Sequence, residues 1–494
     1  MGRGNLKRDV FIGNICFDTP LHIGSGEESI QTDALFLRDT EGNLLLPGTS
    51  IAGAFLSHLK KILDNSYSGL LEEIFGREKK ASKVIFEDSV LKNENSTIIR
   101  DGVGINRETL TAQDKAKYDR EVVQPAFCFP FQMSVDYTFN DNQNEIRKII
   151  LLGLEEFCNG HILLGGNKTR GEGFCHLNIE KVYSLDFSNL ECLIPFLKNG
   201  LNGVGILTYE DYKKDVSFTS LKLNSIIRLE INYEILLKEP FVIKGRGEFE
   251  KEEFDTSPIK ILKNLNSAVS YIPGTSIKGP FRFRAEQILN TLGLDCCDPT
   301  KNGGCGKCLI CNLFGFSSKE GQIGRIYFKD LYPSNKELNE KKFDFVAINR
   351  FTGGALPKAK FNAKVLTSGC FEGKIIIENP KEYEIALILQ VFKDLYLSDL
   401  PIGYGKNKGF GRIQGIIKNM KFMKLGKDEI IKKYGKFKEE GVWKSYNIDL
   451  KFKGNEKGLD VDGNLKEFIK CLDKEWKNYL RSQNEDLSLC RENE

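Results

Sequence analysis

The chain is poor in histidine. It has four, His22, His58, His161 and His176, all in its first half. A histidine acid–base pair used by both halves is therefore excluded. No apolar run approaches the roughly 18–20 residues of a membrane span. The N-terminal M-G-R-G-N-L-K-R-D lacks the apolar core of a signal peptide. A cytoplasmic protein with no membrane partner is expected. Charge of one sign is missing too: 71 Lys and Arg oppose 68 Asp and Glu, for a net +3. Any polyanion must be held by locally placed cations rather than by the field of the whole chain. What the chain does have is cysteine, 13 in all. Five of these crowd between Cys296 and Cys311. Without a secretion signal, they read as reduced thiols around a metal rather than as a disulfide framework. A length of 494 residues leaves room for two to four domains.

One ordered set of marks occurs twice. Leu46–Lys60 reads L-P-G-T-S-I-A-G-A-F-L-S-H-L-K, and Tyr271–Glu286 reads Y-I-P-G-T-S-I-K-G-P-F-R-F-R-A-E. Each is an apolar run, a Pro-Gly turn, Thr-Ser, and a helical pattern. Ser50 and Ser276 stand where a helix cap accepts hydrogen bonds from the first turn. In the first copy Ile51, Phe55, Leu59 and Ile62 recur at helical spacing. Upstream, each copy has a strand (Val10–Phe17; Ile226–Leu236) and an aspartate in an extended setting, Asp33 or Asp255. Downstream come I-F-G or L-F-G, a strand ending in Asp88 or Asp330, and I-N-R-E-T or I-N-R-F-T. A second helical stretch and a closing glycine loop complete each copy: G-G-N-K-T-R-G-E-G-F at Gly165–Phe174 and G-Y-G-K-N-K-G-F-G-R at Gly403–Arg412. Strand, helix, two strands, helix, strand is the order of a ferredoxin-like βαββαβ core. The expected fold is thus α+β, two tandem ferredoxin-like domains at residues 1–184 and 226–417. This plan is shared with RNA-recognition modules, though their aromatic strand motif is absent. Residues 185–225 read as a linker. Residues 418–494 read as an extension with an amphipathic helix carrying Phe468, Leu472, Trp476 and Leu480.

Cys305, Cys308 and Cys311 are spaced by two residues each, and Cys296 or Cys297 can add a fourth thiolate. Four thiolates around tetrahedral Zn²⁺ form a closed structural site, placed here in a loop with little else to bury. Helix N-termini favour anions such as phosphate, and the second copy adds Lys278, Arg282 and Arg284 there. The glycine loops interleave cations, Lys168 and Arg170, then Lys406 and Lys408. Glycine lets a phosphate approach the backbone and the cations supply charge. Arg107 and Arg350 follow Ile-Asn where a long hairpin is expected to turn, and such a tip can wedge into a nucleic acid. Asp33 and Asp255 occupy matched places. A carboxylate beside a phosphodiester can serve as general base on a ribose 2′-OH or hold Mg²⁺.

These motifs resemble the backbone subunits of type III CRISPR effectors, in the "Cas seven" branch of the RAMP superfamily. The similarity covers most of residues 10–180 and 226–416. Two such units in one chain are most similar to the double-backbone fusion of type III-D systems. The resemblance implies units stacked along a guide CRISPR RNA within a complex of other effector subunits. Helix N-terminus and glycine loop would hold guide phosphates, and the thumb hairpin would flip bases. One aspartate per unit, Asp33 and Asp255, would cut complementary target RNA with Mg²⁺ or another divalent cation, leaving a cyclic phosphate and a 5′-OH. The cysteine run resembles the family's zinc insertion. Copy one departs from the pattern, with Ala52 and Leu56 in place of Lys278 and Arg282. Asp33 also lacks the nearby proline that Asp255 has in Pro258. The competing readings are a scaffold with idle aspartates and a processing nuclease for CRISPR precursor RNA. The missing histidine pair speaks against the last.

Overall fold

The computed structural model describes residues 7–425, 438–440, 443–449, 453–455, 458–460 and 463–491, apart from 30–31, 79, 93–95, 139–140, 251–252, 300–302, 319 and 335–337. Unit one runs β1 (Lys7–Phe17), α1 (Gly48–Ile62), β2 (Val84–Phe86), β3 (Thr97–Ile105), β4 (Ala112–Val123), β5 (Cys128–Tyr137), α2 (Gln143–Cys158) and β6 (Cys175–Asp186). A connecting helix, α3 (Leu190–Asn199), follows. Unit two runs β7 (Ile226–Leu237), α4 (Gly274–Thr291), β8 (Ile326–Phe328), β9 (Asn339–Ile348), β10 (Ala355–Ser368), β11 (Cys370–Glu378), α5 (Glu382–Tyr396) and β12 (Ile413–Leu425).

The sheets have the same order, β2-β5-β1-β6 and β8-β11-β7-β12, antiparallel throughout. With two helices on one face, each is the expected ferredoxin-like βαββαβ core. β3–β4 and β9–β10 form separate two-stranded arms, the expected thumb hairpins. The helical stripe of α1 is buried as its spacing predicts, with Ile51, Phe55, Leu59 and Ile62 at 1% exposure or less. It packs against Ile149, Leu152 and Phe157 of α2 in one apolar core.

The segment between the units is more than a tether, since Tyr209, Tyr212 and Leu221 are buried in the core of unit one. The extension also binds the halves together. Its strand β13 (Trp443–Asp449) continues the sheet of unit two beside β12. Trp443 Nε1 donates to Glu156 of unit one at 2.8 Å. Glu156 also pairs with His58 and His161, each at 2.9 Å. These two histidines thus help to tie the extension to unit one. Phe468, Leu472 and Trp476 of the final helix, α6 (Gly463–Arg491), are buried against unit two, so its apolar stripe is a packing face.

Two local expectations are corrected. The helices begin at Gly48 and Gly274, so Ser50 and Ser276 lie inside the first turn and do not cap it. The caps come from the strand-ending aspartates: Gly48 N–H donates to Asp88 at 2.7 Å and Gly274 N–H to Asp330 at 2.6 Å. The cysteines are not all reduced thiols either. Cys16 and Cys128, facing residues of β1 and β5, form a disulfide.

Candidate aspartate sites and nucleic-acid interface

Asp33 and Asp255 are exposed, and each is tied to its arm in the same way. The Asp33 N–H donates to the Asp119 carboxylate and the Asp119 N–H donates back to Asp33, both at 2.9 Å. The Asp255 N–H donates to the Asn362 side-chain oxygen at 3.0 Å and the Asn362 N–H to the Asp255 carboxylate at 2.8 Å. A parallel bridge follows each hook, Ala34 to Arg120 and Thr256 to Ala363. Each aspartate is thus fixed at the root of its arm with one carboxylate oxygen engaged. The sites differ in their second side chain. Asp119 is a carboxylate, paired with Arg246 of unit two, which also holds Asp101 at 2.7 Å. Asn362 is a neutral amide.

The hook partners were missed from sequence, although a signal was present. Lys115–Asp119 reads K-A-K-Y-D and Lys358–Asn362 reads K-A-K-F-N. The lysine that opens each run has a left-handed backbone, φ 57° and 60°. The I-N-R motifs sit at the arm tips as expected. Asn106 accepts from the N–H groups of Glu108 and Thr109, and Asn349 from those of Phe351 and Thr352, at 2.8–3.2 Å. The asparagine therefore closes the tip by a side-chain turn, and the arginine projects from it.

The expected RNA-binding cations divide sharply. Arg107 is held within the chain, 3.0 Å from Glu286 and over the ring of Phe283 on α4. Lys278 is 9% exposed and donates to Thr169 of unit one at 2.8 Å. Burial pushes its ammonium pKa down to about 7, aided by nearby Arg170 and Arg282. Arg282 binds Glu286 and the carbonyl of Gly315, and Arg284 binds Asp394. The expectation of free cations at an open α4 N-terminus is corrected, because the glycine loop of unit one covers that terminus. Gly171 meets Gly274 so closely that a Cβ on Gly171 would lie 2.0 Å from Asp330 Oδ1 and 3.0 Å from Gly274 Cα. Beneath the loop, Arg100 donates to both Asp330 oxygens at 3.0 and 3.1 Å, and Arg120 binds Glu172 at 2.7 Å. Lys168 is half-buried there. Arg170 is exposed, its guanidinium 3.4 Å from the Tyr118 hydroxyl. In unit two, Arg350, Lys406 and Lys408 are exposed. Lys408 lies over Phe361 and Tyr404, 4.7 and 5.5 Å from the ring centres.

The metal candidates resolve clearly. The sulfurs of Cys297, Cys305, Cys308 and Cys311 all lie within 4.8 Å of one another. Backbone N–H groups of Cys305 and Cys308 point at Cys297 and Cys305 sulfurs, at 3.2 and 3.3 Å, where they would stabilise thiolates. This donor set suits structural Zn²⁺. Cys296, the alternative fourth ligand, lies outside the group and packs against the core of unit two. No comparable cluster of three or more ligands surrounds Asp33 or Asp255 among the described residues.

Fold and site together define a protein of two ferredoxin-like units, each with an aspartate hooked to a projecting arm. The family model of the RAMP superfamily matches residues 15–176 and 231–414, one match per unit. The chain belongs to that superfamily as a tandem fusion, and is a CRISPR-associated RNA-binding subunit of the multi-subunit kind. No curated protein matches it. Among the described residues no helix is long and apolar enough to cross a membrane.

Proposed function

We propose that the chain is a backbone subunit of a cytoplasmic type III effector, III-D-like in its fusion, that holds guide RNA and cleaves complementary target RNA at two sites. The carrying observation is the hook repeated in both units, which holds a single exposed carboxylate at the root of each arm. An arm that parts the guide–target duplex would deliver the splayed nucleotide to its own root. There the unengaged oxygen of Asp33 or Asp255 would accept the 2′-OH proton or position the hydroxyl for attack on the adjacent phosphorus. The 5′-oxygen would then leave and take a proton from water, giving a cyclic phosphate and a 5′-OH. Mg²⁺ keeps most of its waters and needs one or two carboxylates besides RNA phosphates. Asp33 and Asp255 fit that demand, and the ion would neutralise charge at the scissile phosphate. Guide phosphates would meet the exposed Lys406, Lys408 and Arg170.

The second reading is a scaffold. It is favoured by the hook itself, because a carboxylate that pins an arm has a structural reason to be there. Asparagine separates the two, since it keeps the acceptor for the arm N–H and removes the charge. In the guide-loaded complex with Mg²⁺ and target RNA, Asp33→Asn and Asp255→Asn should each abolish one cut and leave RNA binding intact. Unchanged cuts in the double variant would make the chain a scaffold.

A further inference from the structure

We propose, on the reading that Asp33 cleaves RNA, that Arg246 of unit two is a positioning residue for Asp33, acting through Asp119. The first cut would then need a side chain from the second unit. Asp119 has two tasks, one for each carboxylate oxygen. Its Oδ1 accepts the Asp33 N–H at 2.9 Å, and its Oδ2 accepts from Arg246 Nη2. The same guanidinium reaches Asp101 Oδ1 through Nε at 3.1 Å and Nη2 at 2.7 Å. Asp101 and Asp119 face each other across β3 and β4. Like charges directly opposite on paired strands repel, and Asp33 brings a third carboxylate to the same arm root. Among the described residues Arg246 is the one cation paired with Asp119. It offsets part of that repulsion and fixes which oxygen of Asp119 faces the Asp33 amide.

Unit two solves the same problem without a cation. Asn362 accepts the Asp255 N–H as Asp119 accepts that of Asp33. Asp344 stands opposite Asn362 as Asp101 stands opposite Asp119. A neutral amide adds no like charge to the arm root. Its one side-chain oxygen is the acceptor by default, so no guanidinium is needed to orient it. The turn that carries Arg246 does not itself call for arginine. Gly245 N–H bonds to Ser257 O as Ser25 N–H bonds to Leu35 O, which puts Gly26 at the matching position of unit one. As an ion pair alone Arg246 would add little, since its side chain and that of Asp101 are partly exposed. Its place at the hook gives it a larger role. Misplacing a reacting group by about 1 Å costs on the order of a hundredfold in rate, and Asp119 is the side chain that holds the Asp33 amide.

The test is a double-variant cycle in the guide-loaded complex with Mg²⁺, with each cut timed separately at saturating target RNA. Arg246→Met should slow the unit-one cut by about tenfold to a hundredfold and leave target affinity and the unit-two cut unchanged. Arg246→Lys should recover part of the loss. Asp119→Asn gives hook one the neutral amide of hook two. In that background Arg246→Met should slow the unit-one cut no further, because residues that act as one unit are not additive. Three results would each overturn the proposal. The unit-one cut could be unchanged by Arg246→Met. It could be slowed equally in both backgrounds, which would set the guanidinium on the RNA itself. Both cuts could fall together, which would make Arg246 a residue of the joint alone. Should Arg246→Met fail to load guide RNA, Arg246→Lys carries the cycle, and Asp119→Asn must erase its smaller loss. Asp33→Asn tells this proposal from the reading beneath it. A first cut that survives Asp33→Asn ends both. A first cut lost in Asp33→Asn and kept in Arg246→Met ends the proposal alone.

Discussion

The loops Gly165–Phe174 and Gly403–Arg412 share one backbone course and have opposite surroundings. The first is pressed between the units, its Gly171 against Gly274 and its Glu172 fully buried with Arg120. A Cβ on Gly409 would meet nothing within 4 Å, and that loop is open. Both look like phosphate grips, and so does the helix N-terminus that the first loop covers. The anion actually received at that joint is Asp330. A helix N-terminus with glycines and cations specifies negative charge, and only the neighbourhood specifies whose charge it is. One of the two equivalent loops is thus a protein joint and the other is exposed.

The contrast between the units can be broken at several points. The largest effect should follow loss of metal, because zinc binding to such loops contributes on the order of 10 kcal/mol. Cys308→Ser should remove one zinc per chain by metal analysis, and hydrogen exchange should rise around 297–311 while the β1–β5 pairing of unit one stays protected. Equal loss in both units would end the contrast.

Next come the two caps, alike in sequence position and unlike in burial. Asp330→Ala leaves Arg100, 1% exposed, over the Tyr271 ring with Glu172 at 3.6 Å as the remaining carboxylate among the described residues, and should cost about 3 kcal/mol. Asp88→Ala removes only a cap and should cost about 1 kcal/mol. Denaturant unfolding of the two variants measures the difference. Equal costs would mean that the joint adds nothing.

Lys278 stands where unit one has Ala52. With its pKa near 7 in the fold and about 10.4 unfolded, the unfolded chain binds the extra proton between these values. Stability should therefore fall as pH drops from about 10 to 7 and level off below. Wild type measured against Lys278→Met should lose about 2 kcal/mol from pH 9 to pH 7, near 1.4 kcal/mol per unit. A flat difference would mean that the lysine stays charged beneath the loop.

The smallest contrast is at the arm tips. Arg107→Ala breaks a half-buried ion pair and a ring contact and should cost about 1 kcal/mol. Arg350→Ala, fully outside, should leave thermal stability unchanged.

The repeat, the sheet order it implies and the cysteine centre were legible because each is written in local spacing. The helical stripe of α1, the I-N-R marks at the arm tips, and the two-residue steps among Cys305, Cys308 and Cys311 depend on neighbours in the chain. The hook partners Asp119 and Asn362 were half-legible. Their pentapeptides repeat, but they lie 86 and 107 residues from the aspartates they hold, and no local pattern states such a pairing. The choice of Cys297 over Cys296 turned on which of two adjacent side chains faces the core.

By itself the sequence determined two RAMP units with arms, matched aspartates and a thiolate cluster, since periodicity, turn chemistry and ligand spacing act within a few residues. Only the tertiary structure decided which charges are free. Arg107, Lys278, Arg282 and Arg284 read as cations for RNA along the chain, yet folding sets them against Glu286, Thr169, Gly315 and Asp394. A charge is available to a partner only where packing has left it unpaired, and packing joins residues that the sequence keeps far apart.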